Sequence, residues 1–170
     1  MGLWYSIASK PNIIEKKCRC AQTVDTLIDT LVIELSESCL ILGQNITSKS
    51  KAIATIPGYG NWTNVNGPAK ADYWIVEMDP DYRWAIIGQP SRKGFWIVAR
   101  DYKIDQSLLD KLIARGKELE FDLSDLEMED QSCHKSKEIW FDERNIKTES
   151  EWYKKSFCFI NKLNWLWYSN

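Results

Sequence analysis

The most reactive side chains in this sequence are five cysteines, at 18, 20, 39, 133 and 158, and a single histidine, His134, beside one of them. Thiolates and imidazoles at suitable spacing carry redox, nucleophilic or metal chemistry. The spacing here suits none of these. Cys18-Arg19-Cys20 is one residue short of a Cys-x-x-Cys pair, and a zinc set on His134 would need Cys133 and further ligands from elsewhere. A Ser/His/Asp arrangement would have to use the same His134. There is no glycine-rich phosphate loop and no Gly-x-Ser-x-Gly elbow. We therefore assign no catalytic residue, metal ligand or cofactor. An enzyme acting through a Cys, Asp or Tyr is kept as an alternative. An odd cysteine count leaves at least one thiol outside any disulfide.

Composition narrows the partners. The chain has 170 residues, enough for one domain that buries about two thirds of its unfolded surface. A net charge of −2 with acids and bases interspersed offers no basic face for nucleic acid. Nine Trp and seven Tyr are the unusual feature, and a core, an apolar pocket or a membrane-facing belt would each use them. No apolar run is long enough to cross a bilayer. Asn45-Ile46-Thr47 and Asn61-Trp62-Thr63 have the form of glycan acceptors.

The elements that would position these residues are mostly strands. Gly2 to Ser9 alternates large apolar with small or polar residues and ends before Pro11. Ala21 to Asp29 follows. Leu31 to Leu42 reads as strand, turn, strand, and Asn45 to Ile56 as another strand. Pro57 to Asn61 forms a link, after which Trp62 to Val65, Asp72 to Met78, Arg83 to Ile87 and Gly94 to Arg100 recur at hairpin spacing. So many short strands must close or stack to hide their edges. The period then changes: Leu108, Leu109, Leu112 and Ile113 form a helical face behind Asp105 as N-cap, with Gly116 near the far end. Leu126 to Gln131 gives a final short strand.

Three motifs stand along this frame: Gly2-x-Trp4, Asp79-x-x-Tyr82-x-x-Ala85, and Arg100 closing a strand. In order and spacing the chain resembles the lipocalins, in particular the branch of apolipoprotein D and bacterial outer-membrane lipocalins. The resemblance implies an all-β fold, an eight-stranded antiparallel up-and-down barrel with one flanking helix, over residues 1–133. Trp4 and Arg100 would meet at its closed end, guanidinium on indole, while Asp79 and Tyr82 shape a turn. It also implies a Cys20–Cys133 bridge, with Cys18 as the competing partner. Cys39 is left to pair with Cys158 or to stay a thiol.

A barrel of this size holds one small ligand, and strand phase decides its walls. The phase that turns Arg100 inward does the same for Trp96 and Val98. Keeping Glu77 in water puts Trp74, Val76 and Met78 inside, the other phase Tyr73 and Ile75; the first is adopted, with Trp74 and Val76 as the walls. Trp62 either lines the mouth or caps a hairpin. Apolar and aromatic walls imply a fatty acid, lipid, sterol, retinoid or carotenoid, carried or stored, with no reaction. Residues 134–170 lie beyond the resemblance. A capping box, Thr148-Glu149-Ser150-Glu151, and the apolar face Phe159, Ile160, Leu163, Leu166 and Trp167 suggest a C-terminal helix, either docked on the barrel or making peripheral membrane contact. Such a tail makes a membrane- or partner-docking protein the third reading. The resemblance implies an extracellular, periplasmic or membrane-associated place. With no apolar leader ahead of Gly2, a cytoplasmic one stays open.

Overall fold

The computed structural model describes residues 1–10, 15–55, 60–65 and 71–135. Its elements are β1 (Gly2–Ser9), β2 (Arg19–Asp29), β3 (Val32–Ile41), β4 (Gln44–Ala54), β5 (Asn61–Asn64), β6 (Ala71–Met78), β7 (Trp84–Gly88), β8 (Phe95–Ala99), α1 (Gln106–Glu118) and β9 (Glu127–Met128). Strands β1 to β8 each pair antiparallel with the next, and β1 also pairs with β8, which closes the sheet. Closure gives every barrel strand two partners and leaves no exposed edge to template aggregation. The short β9 adds against the end of β1, Ala8 opposite Met128. The expected C-terminal helix lies outside the described residues.

Alternation along each strand builds the wall. In β3, Ile33 and Leu35 are buried and turn inward with Ala52 of β4, while Glu34 and Lys49 pair on the outside. The expected break within 31–42 does not occur: Val32–Ile41 is one strand. The turn falls instead at Leu42 and Gly43, both at positive φ (51° and 79°), the geometry of a two-residue hairpin connection. Leu42 at its tip is fully exposed.

On β7 and β8 the outward phase carries Ile86, Phe95, Ile97 and Ala99, which pack with Leu109, Leu112 and Phe121 into a second core beneath α1. Asp105 precedes the helix in an extended conformation, and its carbonyl accepts from the amides of Leu108 and Leu109. The side chain, expected to cap, makes no cap hydrogen bond. Gly116 is no terminator but a point of close approach. A Cβ there would lie 2.7 Å from Cζ of Phe95 and 2.9 Å from Cδ1 of Leu123.

Two disulfides tie the ends together. Cys20–Cys133 joins β2 to the 3-10 turn Ser132–Lys135 after β9. Cys18–Cys39 joins the approach to β2 to β3 and overturns both alternatives held for Cys39, a bridge to Cys158 or a thiol. The register that sets Arg19 opposite Leu40 brings Cys18 and Cys39 to a Cα separation of 5.4 Å, within disulfide reach. Cys158 lies outside the described residues.

Gly116→Ala tests the helix contact. Helix propensity alone would favour Ala by about 1 kcal/mol, but the clash with Phe95 should reverse the sign and destabilise by about 1–3 kcal/mol in urea unfolding. A stabilised variant would show that α1 can shift freely.

Candidate functional site

Antiparallel order brings the start of β1, the β2–β3 and β6–β7 turns and the end of β8 to one end of the barrel, and the β3–β4 and β7–β8 turns to the other. Arg100 seals the first end. Its guanidinium carbon lies 3.5 Å from the centroid of the buried Trp4 ring. Its nitrogens donate to the carbonyls of Met1 (2.7 Å), Leu3 and Tyr82 (3.2 Å). A planar fork can serve three carbonyls and an indole face at once, as an ammonium cannot. Gly2 permits the approach: its φ is +92°, and a Cβ would sit 3.4 Å from Arg100 Nη1.

The neighbouring turn is held by Asp79. Its buried carboxylate accepts from the amides of Asp81 and Arg83 and from the Arg83 guanidinium at 2.8 and 3.1 Å. Those bonds, the Arg83 side chain's first among them, pull the Asp79 carboxyl below its ordinary range. Tyr82, at φ 61°, turns its carbonyl to Arg100 and also lines the interior. The motif residues Gly2, Trp4, Asp79, Tyr82 and Arg100 thus meet at one floor.

Above the floor lies a cavity of about 40 Å³. Trp4, Ile33, Trp62, Ile75, Ile87 and Val98 give it apolar walls, with Asp25, Tyr73 and Tyr82 supplying oxygen. Trp62 and Val98 are among the candidates drawn from the sequence. Trp96 shares their phase, opposite Ile87, but its ring turns toward Gly94 and Gln89 at the far end and is not a wall of this cavity.

Trp74 and Val76 fall on the opposite side of the sheet from the expected one. Trp74 stands opposite Gly88, and Val76 packs into the core beneath α1. Tyr73 and Ile75 face the cavity. A bulge between Ile75 and Glu77 then shifts the phase by one residue. Glu77 faces outward to pair with Arg115 at 2.6 Å, and Met78 returns to the interior. Keeping Glu77 in water is therefore compatible with Tyr73 and Ile75 inside.

Asp25 is the residue that strand reading passes over. It sits on β2 opposite Gly2 and borders the cavity, so part of its side chain is accessible from within. Its Oδ1 is nevertheless shut from solvent and has no hydrogen-bond partner among the described residues. Aspartate is depleted in strands, and one in mid-strand between the β-branched Val24 and Thr26 is the signal that could have marked it. Burial pushes its carboxyl up from 3.8 to about 6; the chain's amino group and Arg100 pull it down, and Glu37 adds to the rise. Burial, then Asp25 and Glu37, push the Tyr73 phenol well above its ordinary value, so it stays a neutral donor.

The ligand atoms of Cys20, Cys133 and His134 lie within 4.8 Å of one another. Both sulfurs are joined in the disulfide and offer no thiolate, and His134 stacks edge-on against Tyr5 at 4.9 Å.

Two variants probe the site. Arg100→Lys keeps the charge but loses the fork, and should cost about 2–3 kcal/mol in urea unfolding through unmet carbonyls and lost stacking; wild-type stability would remove Arg100 from the role of seal. For Asp25 the folded state keeps a proton between about pH 4 and 6 that the unfolded chain has lost. Stability is therefore full below that window, falls as pH rises through it and stays lower above, by at most about 3 kcal/mol. Asp25→Asn should raise the urea midpoint at about pH 7.5 and leave it unchanged near pH 3.5; an equal effect at both would contradict the assignment.

No curated protein sequence matches the chain. Among solved structures, lobster apocrustacyanin A1 is similar at 17% identity and a TM-score of 0.60, with 76% of each chain covered. Insecticyanin from the tobacco hornworm Manduca sexta is similar at 19% identity and a TM-score of 0.57, covering 76% of this chain and 77% of its own. The siderocalin Ex-FABP shares 11% identity at a TM-score of 0.61, over 76% of this chain and 92% of its own. At such identities the likeness is one of fold. The family model of the lipocalin-like domain matches residues 1–131, and with that span, the closed barrel and the sealed floor, the chain belongs to the lipocalin family.

Proposed function

We propose that the protein binds a small lipophilic molecule inside the barrel, without turnover. The observation that carries this is the cavity itself, interior to a closed sheet and walled by Trp4, Trp62, Ile75 and Val98. Apolar ligand surface leaving water for such walls gains about 25 cal/mol per Å² before ordering costs. Related barrels are described in ligand-binding terms: the siderocalin Ex-FABP as having dual ligand specificities and siderocalin Q83 a dual ligand binding mode.

Size limits the ligand. A cavity of about 40 Å³ is small against about 300–1,000 Å³ for sites holding drug-sized molecules. A fatty acid, sterol, retinoid or carotenoid enters only if walls move. Trp62 and Tyr73, paired across β5 and β6, are two of those walls. The two disulfides support service in an oxidising, extracellular setting. Among the described residues no helix is long and apolar enough to cross a membrane.

Titration with N-phenyl-1-naphthylamine tests the reading. One saturable site per chain is expected, weakened about tenfold or more when Val98→Trp fills the cavity, whereas Leu42→Ser at the exposed hairpin tip leaves it unchanged. Equal binding by wild type and Val98→Trp, with the near-UV spectrum preserved, would place the dye outside the barrel and defeat the proposal.

A further inference from the structure

We infer that Asp25 anchors the polar end of the ligand, and that this end is a hydroxyl: the cavity is built for a lipophilic alcohol held head-down at the sealed floor. This rests on the cavity being the ligand site. Asp25 lines that cavity; its Oδ1 has no hydrogen-bond partner among the described residues and is closed to a water-sized probe from the cavity side too, so a ligand group reaches it through the same wall movement that admits the ligand. An ionised carboxylate only accepts hydrogen bonds, so whatever satisfies that oxygen must donate one. A buried acceptor left unmet is a standing penalty, and a ligand that meets it gains over one of equal apolar area that cannot. The walls nearby are apolar, so the donor must be a single terminal group on a hydrophobic body.

Charge selects a neutral donor. The Arg100 guanidinium at the floor already offsets Asp25, and the two groups shift one another's ionisation as neighbours of opposite sign. An ammonium head would add a cation beside Arg100 with no further buried acid to match it; Glu37 is the other carboxyl near this interior, and it is exposed on β3 and accepts from Ser48. A carboxylate head would set two like charges together. An alcohol supplies the proton and no charge.

The same geometry sets a pH dependence. The groups facing Asp25 are the Met1 amino group ahead of β1, Arg100 after β8, Glu37 from β3 and the Tyr73 phenol from β6. Below about pH 6 Asp25 carries a proton. It then donates as well as accepts, and the preference for an alcohol narrows.

The test uses the full chain and measures displacement of N-phenyl-1-naphthylamine by 1-decanol, decyl methyl ether and decylammonium. At about pH 7.5 the alcohol should bind about tenfold more tightly than the ether, the increment of one good hydrogen bond. That ratio should shrink toward unity near pH 5 and in Asp25→Leu. Alcohol and ether binding equally at pH 7.5 would overturn the anchor while leaving the cavity reading intact. Tighter binding of decylammonium than decanol would overturn the choice of a neutral head. If none of the three displaces the dye, the cavity reading fails and the anchor with it. Should Asp25→Leu not fold, the wild-type ratio at the two pH values decides alone.

Discussion

One guanidinium closes this barrel. A closed sheet of eight strands still has two open ends, and at one of them the backbone of β1 and of the β6–β7 turn presents carbonyls to the interior. Arg100 takes up three of these while its face lies on Trp4, so the floor is satisfied in hydrogen bonds and shielded from water together. Everything above depends on that seal. A wet floor would let water reach Asp25 and Tyr73, and the low-dielectric surroundings that shift their ionisation would be lost.

The seal needs help from residues that touch no ligand. Gly2 gives β1 a positive φ at the point where the guanidinium passes, and Asp79 gathers the amides of a turn so that the Tyr82 carbonyl points at Arg100. At the far end of β1 the chain returns as a strap. Gln131 donates to the carbonyls of Ser6 and Ala21, Arg19 grips Asp130, and Cys20–Cys133 locks the strap covalently. The β1–β2 seam is thus held at both ends. Outside, α1 covers the apolar backs of β7 and β8, with Gly116 letting the helix settle onto Phe95. That layer gives β7 and β8 two buried faces, so their sequences run as apolar stretches.

Much of this is legible in the sequence, for a physical reason. The floor needs glycine, indole, guanidinium and carboxylate at fixed places, and few other side chains could substitute, so Gly2, Trp4, Asp79, Tyr82 and Arg100 stand out as types. Strand existence is also legible, since alternation marks each half-buried strand. Phase in a strand with apolar residues on both faces is not. In β6 both faces are apolar, and a one-residue bulge after Ile75 lets Glu77 face water while Tyr73 and Ile75 stay inside. A bulge leaves no residue signature there, so Trp74 and Val76 are drawn to the wrong side. In 31–42 a run of β formers with a central Ser-Glu-Ser looks interrupted, yet tertiary pairing on both sides holds it as one strand. Cys18 and Cys39 become partners only through the β2–β3 register, which spacing in the sequence does not contain.

The central claim is that the sealed interior is a ligand site. Native mass spectrometry after incubating the full-length protein with a total lipid extract tests it most directly, with organic extraction to identify what is held. The account requires a mass increment of one small lipophilic molecule per chain, released when Val98→Trp occupies the cavity. A chain that stays at its bare mass in the presence of that mixture, or carries several molecules in no fixed ratio that the variant also carries, would contradict it.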